Sequence, residues 1–288
     1  MRLRLPERVI EFPRHPLLMG IVNVNDDSFS GDGSLNFEVA IAQARSQVAA
    51  GADIIDVGAE SARTNRPAVT VEEEIRRFCG FLERWENVWS DLEPKDREQI
   101  WPPVLSANTW RSEVVEAVLK SGKVELVNDM SALPDDRNAK LCAESMAALL
   151  IMHSVGEPKV PHFQQRWADV MEEMERFFEE KLALARAAGL SAESIILDPG
   201  IDFAKQRDDN LTVYRELARL QRFGCPVLVP VSRKTVIGEV LNLPEPNARD
   251  PGTIACISVA MNRGAQIFRV HNVEAAWQAV KALSAVQA

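Results

Sequence analysis

Leu17-Leu-Met-Gly-Ile-Val-Asn23, Phe37-Glu-Val-Ala-Ile-Ala-Gln-Ala-Arg-Ser-Gln-Val-Ala-Ala50 and Asp53-Ile-Ile-Asp-Val57 follow one another near the start of the chain. The outer two are short and mostly continuous in apolar residues. Strands covered on both faces of a parallel sheet read this way. The middle segment spaces its apolar residues as a helix does, and Gly51 can end it. Together they predict one strand–helix–strand unit.

Outward from this unit the alternation continues to the end of the chain. Apolar runs recur at Val104–Ala107, Val124–Val127, Ala147–Met152, Ser194–Leu197, Pro226–Val231 and Gln266–Val270, which makes eight in all. Helical patterns lie between them at Val71–Trp89, Ser112–Ser121, Arg166–Ala188, Asp208–Phe223, Thr253–Arg263 and Val273–Ala285. Thr70-Val-Glu-Glu73 predicts a capping box, and Gly122, Gly189, Gly224 and Gly264 supply stops. Leu243–Pro251 is predicted as a single loop. Eight strands alternating with helices predict a single α/β domain over residues 1–288, a (β/α)8 TIM barrel. A doubly wound open sheet is the other arrangement of this pattern. No GxGxxG follows the first run, which weighs against a dinucleotide-binding version.

The 288 residues carry a net charge of −9, and such a surface repels phosphate backbones, so nucleic acid is not expected as a partner. An anionic small substrate would need a local cluster of arginine and lysine. The basic start, Met1-Arg-Leu-Arg-Leu-Pro6, is not followed by an apolar run of signal-peptide type. No stretch is apolar for the ~18 residues that a membrane span needs. Cys79, Cys142, Cys225 and Cys256 are widely spaced without a CxxC, and three of the four sit in apolar or amphipathic segments, which predicts buried free thiols and a cytoplasmic setting.

Active sites of barrels sit at the C-terminal ends of the strands. Here nearly every run ends in polar residues: Asn23; Asp56 and Glu60-Ser61-Ala62-Arg63; Ser106 and Asn108-Thr109; Asn128-Asp129; His153-Ser154; Asp198; Ser232-Arg233-Lys234; Arg269 and His271. Each one alone could be a turn residue or helix cap. His153 alone reads as a structural histidine, and Asn108 as a cap for the helix from Ser112. Jointly they predict a site. Ser232, Arg233, Lys234, Arg269 and His271 follow the seventh and eighth runs, where barrels often bind phosphate. Asn108, Asn128 and Asp198 suit a flat polar heterocycle. A heterocycle carrying phosphate fits both groups.

Read as strings, these residues resemble one family, the dihydropteroate synthases among the pterin-binding barrels. Met19-Gly-Ile-Val-Asn-Val-Asn-Asp-Asp-Ser-Phe-Ser30 resembles MGILNVTPDSFS, and Gly51-Ala-Asp-Ile-Ile-Asp-Val-Gly-Ala-Glu-Ser-Ala-Arg63 resembles GADIIDVGGESTR. Val127-Asn-Asp129, Leu197-Asp-Pro-Gly-Ile-Asp-Phe203, Ser232-Arg-Lys234, Gly252-Thr253 and Arg269-Val-His271 continue the order, so the resemblance spans Leu17 to Leu283. It implies a transferase that condenses 6-hydroxymethyl-7,8-dihydropterin diphosphate with p-aminobenzoate in folate biosynthesis. It implies that Asn108, Asn128, Asp198 and Lys234 hold the pterin and that Lys234, Asp198 and Arg63 serve catalysis. Arg63, Arg269 and His271 would bind diphosphate, Phe29, Phe203 and Ser232 would contact p-aminobenzoate, and Asn23 would meet Mg2+. A homodimer and sulfonamide sensitivity are implied as well.

The departures from the family pattern are specific. Asn108 stands where the pattern SVDT has Asp, Ala62 and Thr64 replace the Thr and Pro around Arg63, and Asp202 and Ala204 replace glycines. From residue types alone, Asn108→Asp is expected to raise kcat or pterin affinity. A pterin- or folate-dependent methyltransferase with a corrinoid protein partner would share the pterin end of such a site. The cationic Ser232-Arg-Lys234 and Arg269-Val-His271 argue against it. A pterin-binding paralogue with impaired catalysis is the reading that Asn108 and Ala62 favour.

Overall fold

The computed structural model describes residues 1–25, 33–61, 67–160, 162 and 164–287. The expected barrel is present. Strands β3 (Leu17–Asn23), β4 (Ile54–Gly58), β5 (Val104–Asn108), β6 (Leu126–Asp129), β7 (Ala148–Met152), β8 (Ile195–Asp198), β9 (Leu228–Val229) and β10 (Ile267–Val270) form one eight-stranded sheet. Its order is β8-β7-β6-β5-β4-β3-β10-β9, and its paired strands run parallel. A Leu197–Val227 bridge brings β8 against the start of β9 and closes the ring.

The period-2 side-chain alternation of strands divides the residues cleanly. Leu18, Val22, Ile55, Val57, Leu105, Ala107, Val127, Leu149, Ile151 and Phe268 face outward and pack on helices. Leu17, Met19, Ile54, Val104, Leu126, Ala148, Leu150, Ile196 and Ile267 face inward and fill the barrel. Two residues further along the same inward series stand Asp56, Ser106, Asn128, Asp198 and Arg269. The interior is therefore apolar at the N-terminal end and polar at the C-terminal end.

Strands β1 (Arg2–Arg4) and β2 (Val9–Glu11) form an antiparallel hairpin absent from the expected pattern. It carries Leu3, Leu5 and Ile10, with Phe12, into the apolar mouth of the barrel. Its Arg-Leu-Arg alternation matches one buried and one exposed face, but three residues give too short a period to stand out against loop.

The connecting helices are α1 (Phe37–Ala49), α2 (Val71–Leu82), α3 (Ser112–Leu119), α4 (Arg137–Glu144), α5 (Val170–Ala187), α6 (Arg207–Glu216), α7 (Thr235–Leu241), α8 (Asp250–Asn262) and α9 (Val273–Gln287). Helices α4 and α7, of eight and seven residues, were not expected. Two expected helices end early, because Trp85–Val88 and Leu217–Phe223 are 3-10 turns, and the helix expected from Arg166 starts at Val170. Within the expected Leu243–Pro251 loop, Pro246–Arg249 is a 3-10 turn and α8 already begins at Asp250; Pro251 is tolerated in a first turn, which needs no N–H from it. Half of the predicted capping box forms. Thr70 Oγ1 accepts from Glu73 N at 3.2 Å, while the Glu73 carboxylate is taken by Arg76 and Arg77, whose charged donors outcompete a backbone N–H. All four cysteines are free thiols, with Cys142 and Cys225 buried and Cys79 exposed. Among the described residues no helix is long and apolar enough to cross a membrane.

Candidate active site

Parallel register brings the polar ends together. Asp56 pairs with Ser106, and Asn108 pairs with Gly58 on one side and Asn128 on the other. The Asp56 carboxylate becomes the hub. Its Oδ1 accepts from Ser106 Oγ at 2.6 Å, and its Oδ2 accepts from Asn108 Nδ2 at 3.2 Å, Asn128 Nδ2 at 3.0 Å and Arg269 Nε at 2.8 Å. The Asp56 side chain is 0% exposed and that of Arg269 20%. A buried carboxylate needs this many donors to offset its lost hydration. Asp56 is one of the polar strand-end residues in the sequence but has no role assigned there, because a carboxylate in an apolar run carries no sign of which strands will converge on it.

Asp198 ends β8. Its Oδ1 accepts from Gly200 N at 2.6 Å. Gly200 has φ 63°, and a Cβ there would lie 2.0 Å from the His153 carbonyl oxygen, so this tight return needs glycine. Burial pushes the Asp198 carboxyl up to about 6, against the opposing pull of that N–H and of Lys234, Lys205 and Arg269. Lys234 is the N-cap residue of α7. Its ammonium donates to the Ile201 carbonyl at 2.8 Å and lies 5.1 Å from the centre of the Phe203 ring. Burial lowers its pKa, while Asp202 and Asp198 raise it. Ser232 Oγ sits 2.8 Å from His271 Nδ1 and accepts from His271 N at 3.1 Å, so this hydroxyl orients the imidazole. The Asn23 side chain lies at the same rim: a Cβ on Gly58 would meet Asn23 Oδ1 at 3.7 Å and Asn108 Cβ at 3.8 Å.

The structure thus gathers Asn23, Asn108, Asn128, Asp198, Phe203, Ser232, Lys234, Arg269 and His271 at one mouth of the barrel. Phe29 and Arg63, with Ala62 and Thr64, lie outside the described residues. Two readings change and one holds. Arg233 turns away from the rim; its guanidinium binds Asp250 at 2.7 and 3.1 Å and Asn247 at 2.6 Å, tying α7 to α8. Asn108 caps nothing: Arg111 is the N-cap residue of α3, and the Asn108 amide is spent on Asp56. His153 is the structural histidine expected, 1% exposed, ringed by Trp167 and Phe177 at 5.4 and 5.0 Å and held by Lys205 Nζ at 2.8 Å from Nδ1. Lys205 also donates to the Gly200 and Phe203 carbonyls, which fixes the loop after β8.

Two expectations follow. A carboxylate that must accept from a ring N–H works only when ionised, so kcat/KM for a heterocycle bound at Asp198 should fall as pH drops through about 6 rather than near the ordinary carboxylate value of 3.8. The pH–rate profile of the wild type checks this against Asp198→Asn, which should lose the acid limb. Asn108→Asp is now expected to destabilise the ligand-free protein, because a donor to Asp56 becomes a second carboxylate. The cost is on the order of 1–3 kcal/mol for the unsatisfied acceptor, partly regained on acidification. This offsets the gain expected from residue types alone. Urea unfolding at pH 8 and pH 5 measures it; equal midpoints for both proteins at pH 8 would rule it out.

The comparisons with known proteins agree with this geometry. The family described as pterin binding enzyme matches residues 19–271. The chain is similar to the dihydropteroate synthase of Escherichia coli strain K12, with 35% identity covering 94% of this chain and 92% of the relative. It superposes on the crystal structure of the Yersinia pestis dihydropteroate synthase with a sulfonamide drug complex, with TM-score 0.87 and 32% identity, covering 100% of this chain and 99% of the other. The Xanthomonas albilineans dihydropteroate synthase with 4-aminobenzoic acid gives TM-score 0.85 and 34% identity, covering 100% and 98%.

Proposed function

This chain belongs to the pterin-binding enzyme family, and on that premise we propose that it is a dihydropteroate synthase. It condenses 6-hydroxymethyl-7,8-dihydropterin diphosphate with p-aminobenzoate and releases 7,8-dihydropteroate and diphosphate. The observation that carries the reading is the convergence of Asp198 and Lys234 with Asn128, Asp56 and Arg269 at one mouth of the barrel.

In this scheme Asp198 accepts from the donor edge of the pterin, Asn128 and Asn108 complete that edge, and Lys234 donates to a ring carbonyl or nitrogen. Asp56 already takes Nε–H of Arg269, so the two terminal amino groups of the guanidinium face diphosphate, together with His271. The bond from the exocyclic methylene to oxygen breaks with its electron pair leaving on diphosphate. The aryl amine, beside Phe203, then captures the methylene and loses a proton to solvent. Ser232 serves by orienting His271. No protein nucleophile takes part. Positioning and charge stabilisation supply the catalysis.

Among the described residues no group of three or more His, Cys, Asp or Glu could hold a metal. Mg2+ is often bound through few protein oxygens together with substrate phosphate, so Asn23 with diphosphate oxygens suits it. When bound there, Mg2+ would neutralise charge on the departing diphosphate.

The decisive assay follows dihydropteroate and diphosphate release with and without Mg2+. No product from folded protein would remove the reading. Arg269→Ala should weaken Mg2+-diphosphate binding by roughly 10- to 100-fold, the worth of charge-assisted hydrogen bonds; equal calorimetric titrations would place the anion elsewhere. A cytoplasmic homodimer completes the proposal. Val240 and Leu241 on α7 and Val259 on the adjoining α8 are exposed apolar residues that a second copy would cover, and sedimentation velocity reads the mass directly.

A further inference from the structure

Asp202 sits in the loop after β8 with φ 69°, and Ala204 follows with φ 50°. The family pattern has glycine at both positions, so the backbone keeps a left-handed path while carrying side chains. Asp is among the residues that tolerate it. The Asp202 carboxylate reaches across to α7 and accepts from Thr235 N and from Val236 N. Its backbone N–H donates to Asn210 Oδ1 at 2.8 Å, and Asn210 Nδ2 returns a bond to Asp202 Oδ1 at 3.3 Å. The loop is thereby pinned to α6 as well.

Lys234 makes the reciprocal link. Its ammonium donates to the carbonyl of Ile201, the residue before Asp202, while Asp202 accepts from the residues that follow Lys234. Two adjacent, opposed links stitch the loop after β8 to the start of α7. Phe203, which Lys234 overlies, is the next residue of that loop. Arg249 holds α7 from the other side, donating to the Arg233 and Lys234 carbonyls at 3.0 and 3.3 Å.

We propose that Asp202 is a positioning residue of the reaction: by bonding the first turn of α7 to the loop after β8, its carboxylate sets where the Lys234 ammonium stands and provides that ammonium with a nearby negative charge. The proposal rests on Lys234 acting on the pterin. It assigns Asp202 no contact with substrate. The charged groups around Lys234 are Asp198 at the end of β8, Asp202 and Lys205 in the loop after it, and Arg269 on β10. Burial lowers the Lys234 pKa; Asp202 and Asp198 work against it, and Arg269 works with it.

Asp202→Asn removes the charge and keeps one of the two bonds to α7, because its single amide oxygen can accept from Thr235 N or from Val236 N but not from both. Asp202→Gly removes the link and restores the residue that suits φ 69°. In the full-length, ligand-free protein, NMR titration of isotope-labelled lysine should show the Lys234 pKa falling by about one unit in Asp202→Asn, the size a lost neighbouring charge produces. In wild-type and variant enzyme the alkaline limb of kcat/KM for the pterin substrate should move down with it. In Asp202→Gly, kcat/KM should fall about tenfold at every pH, while KM for p-aminobenzoate changes less. An unmoved Lys234 titration together with an unmoved alkaline limb, accompanied by nothing more than a lower Tm, would overturn the proposal and leave Asp202 as a helix cap. A shifted Lys234 titration in protein that makes no dihydropteroate would sustain the pairing and reject the proposed function instead.

Discussion

Lys234→Ala should lower kcat/KM by about a hundredfold to a thousandfold while the barrel survives, since loss of one aimed donor in a preorganised site costs that much. The ammonium stands beside Asp198 and Phe203, and its hydrogen bond to the Ile201 carbonyl is one that a substrate acceptor can replace. The fold should tolerate the change. Lys234 is half-buried at the rim, and the start of α7 is still held by Asp202 and Arg249. A stability loss of about 1 kcal/mol, that of a single hydrogen bond, is expected. Circular dichroism and urea unfolding establish the fold, and steady-state kinetics give the rest. A folded variant with wild-type kcat/KM would exclude Lys234 from the chemistry.

Asp56→Ala is the substitution with the largest expected effect on stability. It leaves the donors on Ser106, Asn108, Asn128 and Arg269 without their shared acceptor, and Arg269 without its counter-charge. Breaking a buried ion pair by removing one partner costs roughly 3–5 kcal/mol. Turnover should be lost as well, because the same carboxylate aligns the amides at the pterin edge with the arginine at the diphosphate end. Asp56→Asn keeps the size but replaces a carboxylate oxygen with a donor that faces other donors, so it should recover only part of the loss. Urea unfolding of both variants decides it. A cost below about 1 kcal/mol for Asp56→Ala would mean that the network carries little of the fold.

These two residues differ in how far the chain's order of residues reveals them. Lys234 follows an apolar run and lies in a recognisable string, so its place at the rim could be read directly. Asp56 lies inside an apolar run, and its importance arises from Ser106, Asn108, Asn128 and Arg269, which are contributed by three other strands. Arg233 shows the converse. It adjoins Lys234 in the chain, yet a left-handed backbone at φ 58° sends its guanidinium outward to Asp250.

By itself the sequence determined the eightfold alternation and the end of the barrel that would be polar. Those properties follow from side-chain period and from local stop signals, which act over a few residues. The tertiary structure alone decided which polar residues share a partner. It made Asp56 the hub, turned Asn108 from a cap into a donor, and joined Asp202 to the turn that carries Lys234. It also brought the N-terminal hairpin into the apolar mouth, where Leu3 and Ile10 are buried. The physical reason is that burial and register are set between strands, so the partner of a buried polar group depends on segments far away in the chain.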